Sequence, residues 1–194
     1  MTAKGGHPGL DPGPTQRPRS APRLETERLI LREFTRDDLD ALAATLGDIE
    51  VVRHLTGEPI NREDSLRRLF MAAGQWPLTG IGMWAVELKA DGRMIGHVGF
   101  FDMERDITPS LLGLPEMGWI FDMSVHGHGI AQEACEAALA WLETTHGPTE
   151  VPAIISAENI ASLKLAAKLG FVRVPDGVYK GEPIAVVRRP ASMA

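Results

Sequence analysis

The residues best placed to do chemistry are His126-Gly127-His128-Gly129-Ile130-Ala131-Gln132. They stand between the apolar run Trp119-Ile120-Phe121 and an alanine-rich stretch reaching Leu142. A strand, a glycine turn and a helix in that order make an anion site. The first amides of a helix lack intrahelical partners and carry about half a positive charge. Glycine lets a phosphate come close to the backbone. Taken alone, Gly127-x-Gly129 is also the signature of a plain tight turn. It is not a P-loop, since Ile130-Ala131 follow Gly129 where Lys-Ser/Thr would be needed. A dinucleotide fingerprint would follow the first strand of a parallel sheet; here the turn comes after four expected strands.

The elements that must position this turn are legible upstream and downstream. Arg28–Phe34 alternates and is expected as a strand. Thr35 with Asp37 and Asp38 opens a helix with Leu39, Leu42 and Leu46 on its apolar face. A second helix is expected near Asn61, with Leu66, Leu69 and Phe70 inward. Gly82–Leu88 and Met94–Phe101 form a hairpin around Asp91-Gly92. Residues Asp102–Pro115 are expected as loop and Glu116–Asp122 as a strand. The alanine-rich helix should bury Ile130, Ala134, Ala137, Ala138, Trp141 and Leu142. Val151–Ala157 is a further strand. Asn159–Leu169 is a helix, capped by Asn159 and stopped by Gly170. Phe171–Val174 and Ile184–Arg188 close the domain. The class is mixed α/β.

Length and composition limit the rest. A chain of 194 residues suits one domain. The Gly- and Pro-rich residues 1–23 are expected as a flexible tail before a domain at 24–194. A net charge of −6 argues against a nucleic-acid partner. No apolar run is long enough for a membrane helix, and with no apolar core after Lys4 a secretory signal is not expected. The one cysteine, Cys135, gives no reason to expect an oxidising compartment, so a cytoplasmic location is expected.

A second motif lies downstream: Asn159, Ser162, Lys168, Gly170 and Phe171 in the pattern N-x-x-S-x-x-x-x-x-K-x-G-F. Together with the glycine turn, it resembles the GNAT superfamily of N-acetyltransferases. The opening LETERLILREFTRDD and the EMGW strand are similar to the RimJ/RimL-like branch, and the resemblance covers about Leu24 to Arg189. It implies a central, mostly antiparallel sheet with a splayed parallel pair, Glu116–Asp122 and Val151–Ala157, flanked by helices. It also implies acetyl-CoA as cosubstrate, with no metal. A bulge in the first splayed strand would free backbone amides at Trp119, Ile120 and Phe121 for the pantetheine arm and the thioester carbonyl. The amides of Gly127, His128, Gly129, Ile130, Ala131 and Gln132 would hold the pyrophosphate, with Asn159 and Ser162 reaching the cofactor from the next helix.

The sequence departs from the family pattern twice. His126 stands where Arg or Gln is usual, and Ala166 stands where many members place a tyrosine acid. An amine has a pKa of about 10, so a base assists its attack at neutral pH. Glu116 is the first candidate, against a solvated strand-end carboxylate. Ser156 would orient water or amine, against a buried structural serine. Tyr179, the chain's only tyrosine, would protonate sulfur or shape the acceptor pocket, against a rim aromatic. Cys135 and the tryptophans Trp76, Trp84 and Trp119 fit core packing better than chemistry, and the histidines show no metal-ligand spacing.

The expected activity is acetyl transfer to a primary amine, of a small molecule or a protein N-terminus, by direct attack in a ternary complex. A non-catalytic CoA-binding module is the alternative, kept open by Ala166. A nucleotide-binding protein is a third. A homodimer stays open as an assembly.

Overall fold

The computed structural model describes residues 18–191. In chain order come β1 (Leu24–Glu25), β2 (Leu29–Arg32), α1 (Leu39–Gly47), α2 (Ile49–Val52), α3 (Arg62–Thr79), β3 (Met83–Leu88) and β4 (Met94–Phe101). Then follow β5 (Ile107–Thr108), β6 (Glu116–Phe121), α4 (Ile130–His146), β7 (Val151–Ile155), α5 (Ile160–Lys168), β8 (Val172–Arg173), β9 (Gly177–Tyr179) and β10 (Glu182–Arg189). The strands form two sheets, β1-β2-β3-β4-β6 and β5-β9-β10-β7, with β8 on β10, and every ladder is antiparallel. β6 and β7 lie side by side, joined by the α4 crossover, with no ladder between them among the described residues. The mostly antiparallel sheet is as expected, and it parts between the strands expected to splay.

Two apolar layers cover the first sheet. Leu29, Leu31, Trp84, Val86, Val98 and Met117 face α4, where Ala134, Cys135, Ala138 and Leu142 are buried. Met83, Ala85 and Met94 face α1 and α3. Buried Trp76 and Trp84 meet edge to face at 4.6 Å. Their indole N–H groups donate to the carbonyls of Met83 and Pro22, at 3.1 and 2.7 Å, as buried tryptophan requires.

Local chemistry sets the boundaries. A short 3-10 turn at Arg36–Asp38 precedes α1, and Asp38 accepts from the Thr35 amide at 2.7 Å. Asp38 also takes both ends of the Arg32 guanidinium, which reaches Glu87 as well. The Asn61 side chain caps α3 by accepting from the Asp64 amide. Phe70 is 59% exposed, contrary to the inward face expected of it. The buried stripe is Ser65, Leu69, Ala72 and Trp76, and Phe70 lies one residue, about 100°, off it. Arg36 stands over the Phe70 ring instead.

Of the expected tail, residues 1–17 lie outside the described residues. In the remainder Ala21 is buried and the Pro22 carbonyl accepts from Trp84, while Arg19, Ser20 and Arg23 are exposed. No helix among the described residues is long and apolar enough to cross a membrane.

Candidate active site

The parting of the sheets exposes one edge of β6. The Asp122 amide donates to the Ile95 carbonyl, and the β4–β6 register runs unbroken from Gly96↔Phe121 to Phe101↔Glu116. Backbone groups alternate sides along a strand. The amides of Ile120 and Gly118 therefore point into the ladder, and those of Met117, Trp119 and Phe121 point toward β7. The bulge expected in β6 is absent from that register, and the only shift in the neighbouring ladders is between Val86 and Glu87. The amides are free because β7 does not pair, and Ile120 is not among them. Gly118, Trp119 and Ile120 are half-buried while both ends of the strand are buried, so the gap opens at mid-strand.

The strand leads into the glycine turn. Gly127 and Gly129 have φ of 78° and 76°, a left-handed conformation that costs other residues roughly 1–2 kcal/mol. A side chain at Gly127 would meet nothing within 4 Å, so the space over the loop is open. The amides of residues 127 to 132 have no protein acceptor among the described residues, while the Glu133 amide closes the first helical bond onto Gly129. His128, Ile130, Ala131 and Gln132 contribute main chain; the Ile130 side chain is core, and the Gln132 side chain bonds Glu136. His126 has a use not foreseen for it: its Nε2 lies 3.1 Å from the Phe121 carbonyl and ties the loop to the free edge of β6.

Across the gap, the Asn159 carboxamide oxygen accepts from the Ser162 amide at 3.0 Å and starts α5. Trp119 Nε1 donates to Ser162 Oγ at 3.3 Å. The hydroxyl of Ser162 thus bridges α5 to β6, and Trp119 packs against Phe171. Ser156 is half-buried just beyond β7, and its Oγ accepts from the Glu158 amide at 3.4 Å, a turn role.

Glu116 and Tyr179 are brought together by a residue the sequence did not single out. Arg105 Nε donates to Glu116 Oε2 at 2.6 Å, and Arg105 Nη1 donates to the Tyr179 hydroxyl at 2.8 Å. Glu116 is buried. Burial pushes its carboxyl upward and Arg105 draws it back, with a net rise. Tyr179 accepts from Arg105, so its own O–H proton remains available to a further acceptor. Arg105 sits in a stretch with no periodicity, and only the fold shows that this stretch passes over the start of β6. Ala166 is buried in the α5 core contact. Burial likewise seals the Cys135 thiol and pushes its pKa upward, which removes it as a nucleophile.

Comparison with known proteins agrees with this geometry. Residues 28–172 match the acetyltransferase (GNAT) domain, and the chain belongs to the GNAT acetyltransferases. The uncharacterized N-acetyltransferase YoaA of Bacillus subtilis (strain 168) is 29% identical, over 82% of this chain and 86% of that protein. A putative GNAT-family acetyltransferase from Bordetella pertussis has the same fold, with TM-score 0.76, 27% identity and coverage of 87% and 99%. RimL, the ribosomal L7/L12 alpha-N-protein acetyltransferase, in a structure with coenzyme A, shares the fold at TM-score 0.71 and 14% identity, covering 88% of this chain and 98% of that one. The protein is an acyltransferase, and its family's chemistry is acyl transfer from acetyl-CoA.

Proposed function

We propose that the protein transfers an acetyl group from acetyl-CoA to a primary amine by direct attack in a ternary complex. The observation that carries this is two groups of unpartnered amides in succession: Trp119 and Phe121 on the free edge of β6, then residues 127 to 132 at the head of α4. Hydrogen-bond donors in that order suit a chain of amide, thioester and phosphate acceptors. The loop amides take the pyrophosphate. A β6 amide donates to the thioester carbonyl as negative charge develops on its oxygen, and one such donor is worth about 3–4 kcal/mol.

Glu116 takes the proton of the attacking amine, directly or through one water. As the new C–N bond forms and the C–S bond breaks, the Tyr179 hydroxyl supplies a proton to the leaving sulfur, in place of the tyrosine absent at Ala166. Asn159 and Ser162 fix the far wall. The acceptor is a small-molecule amine or a protein N-terminus. The test is acetyl-CoA-dependent thiol release over a panel of amines and N-terminal peptides. Glu116→Gln should slow the best acceptor about 10²–10⁴-fold with little change in acetyl-CoA affinity. Tight acetyl-CoA binding with no thiol release for any amine would favour the non-catalytic module instead.

A further inference from the structure

Arg28 holds a position beside the glycine loop that the reaction scheme leaves unused. Its Nε donates to Glu133 Oε2 at 2.6 Å and its Nη1 donates to the His128 carbonyl at 2.9 Å. Glu133 Oε1 accepts from the Arg28 amide and from Thr26 Oγ1 as well. The remaining nitrogen, Nη2, has no acceptor among the described residues and lies 3.5 Å from where a Cβ at Gly129 would stand.

Two consequences follow from elementary geometry and charge. A trans peptide points its C=O and N–H in opposite directions. Turning the His128 carbonyl onto Arg28 therefore turns the Gly129 amide away from it, toward the open side of the loop. Glu133 is a carboxylate in the first turn of the helix that would receive a pyrophosphate. Uncompensated, it would repel that ligand; paired with Arg28, it acts instead as the anchor for the guanidinium.

We propose that Arg28 is a positioning residue for the phosphate-binding loop: it sets the 128–129 peptide so that the Gly129 amide faces the cofactor, and it neutralises Glu133. This rests on the acetyl-CoA reading above and deepens it. Arg28 lies in the bend between β1 and β2, far from the loop in sequence, so nothing local to the loop reveals it.

The test is calorimetric titration of the full chain with acetyl-CoA for wild type, Arg28→Met and the double variant Arg28→Met/Glu133→Gln, with thermal melts run in parallel. Arg28→Met should bind about tenfold or more weakly. The double variant should regain part of that loss, because the uncompensated carboxylate is gone. If Arg28→Met is unfolded at the titration temperature, Arg28→Lys replaces it, with a smaller loss expected because the charge is kept and the fork is not. Wild-type affinity in the folded single variant would overturn the inference, as would a double variant that regains nothing. Absence of acetyl-CoA binding by the wild type is a different result, and it removes the proposed function itself.

Discussion

In the proposed reaction Glu116 is the base, and its neighbours hold it in place. Asp102, Glu104 and Arg105 line the same hollow as Glu116, and Tyr179 joins it through Arg105. Arg105→Gln removes the one cation bonded to Glu116, so burial acts unopposed and the carboxyl rises further. The acidic limb of the kcat/KM profile should then move to higher pH; an unmoved limb would detach Arg105 from the chemistry. His97 gives a second pH signal. Burial, with Arg68 nearby, pushes its imidazole from 6.5 down to about 4, and its Nδ1 is sealed without a partner. The folded pKa is depressed, so its contribution is present above 6.5 and is lost as pH falls toward 4. In His97→Phe the fall in urea stability across that window should be smaller than in wild type. The sequence showed Asn159 and Ser162 through local motif spacing, Glu116 as the acid that opens its strand and Tyr179 as the chain's only tyrosine. It did not show Arg105 or Arg28, whose partners lie 11 and 105 positions away.

The element that makes the site is an absent ladder. β6 pairs with β4 on one edge and leaves the other bare, and α4 begins where that edge ends. Alternation and glycine turns predicted these strands and their order well. The short β1, β5 and β9 and the single turn of α2 escaped, because two to four residues carry no readable period. The free amides were foreseen with the wrong cause. A bulge is a local irregularity; here the release comes from two sheets that diverge, a property of neighbours rather than of the strand. At the start of the domain, Arg32 links β2 to the turn before α1 through Asp38. Burial raises the Asp38 carboxyl, but Arg32 and the Thr35 amide outweigh it and hold it below 3.8. Its contribution is therefore present above that value and lost as pH falls through the depressed one. Asp38→Asn should cost about 1.5–3 kcal/mol at pH 7 in urea denaturation. The gap to wild type should close in acid; a gap independent of pH would assign the loss to packing.

Over the whole molecule, the two apolar layers hold the first sheet rigid while the gap beside it stays open. Cys135 sits in the layer under α4, fully buried, so a thiol reagent should leave the native protein unlabelled and label it in denaturant. Labelling of the native chain at the rate of a free thiol would mean that α4 opens readily. On the open side, the bare edge of β6 and the head of α4 form the proposed binding line for acetyl-CoA. The most direct measurement is calorimetric titration of the purified protein with acetyl-CoA, CoA, ATP and NAD, beside a Gly129→Trp variant. Binding of acetyl-CoA and CoA in preference to the nucleotides is expected, and it should be lost when the tryptophan fills the loop. Binding of ATP or NAD in preference, or of none of the four, would contradict it.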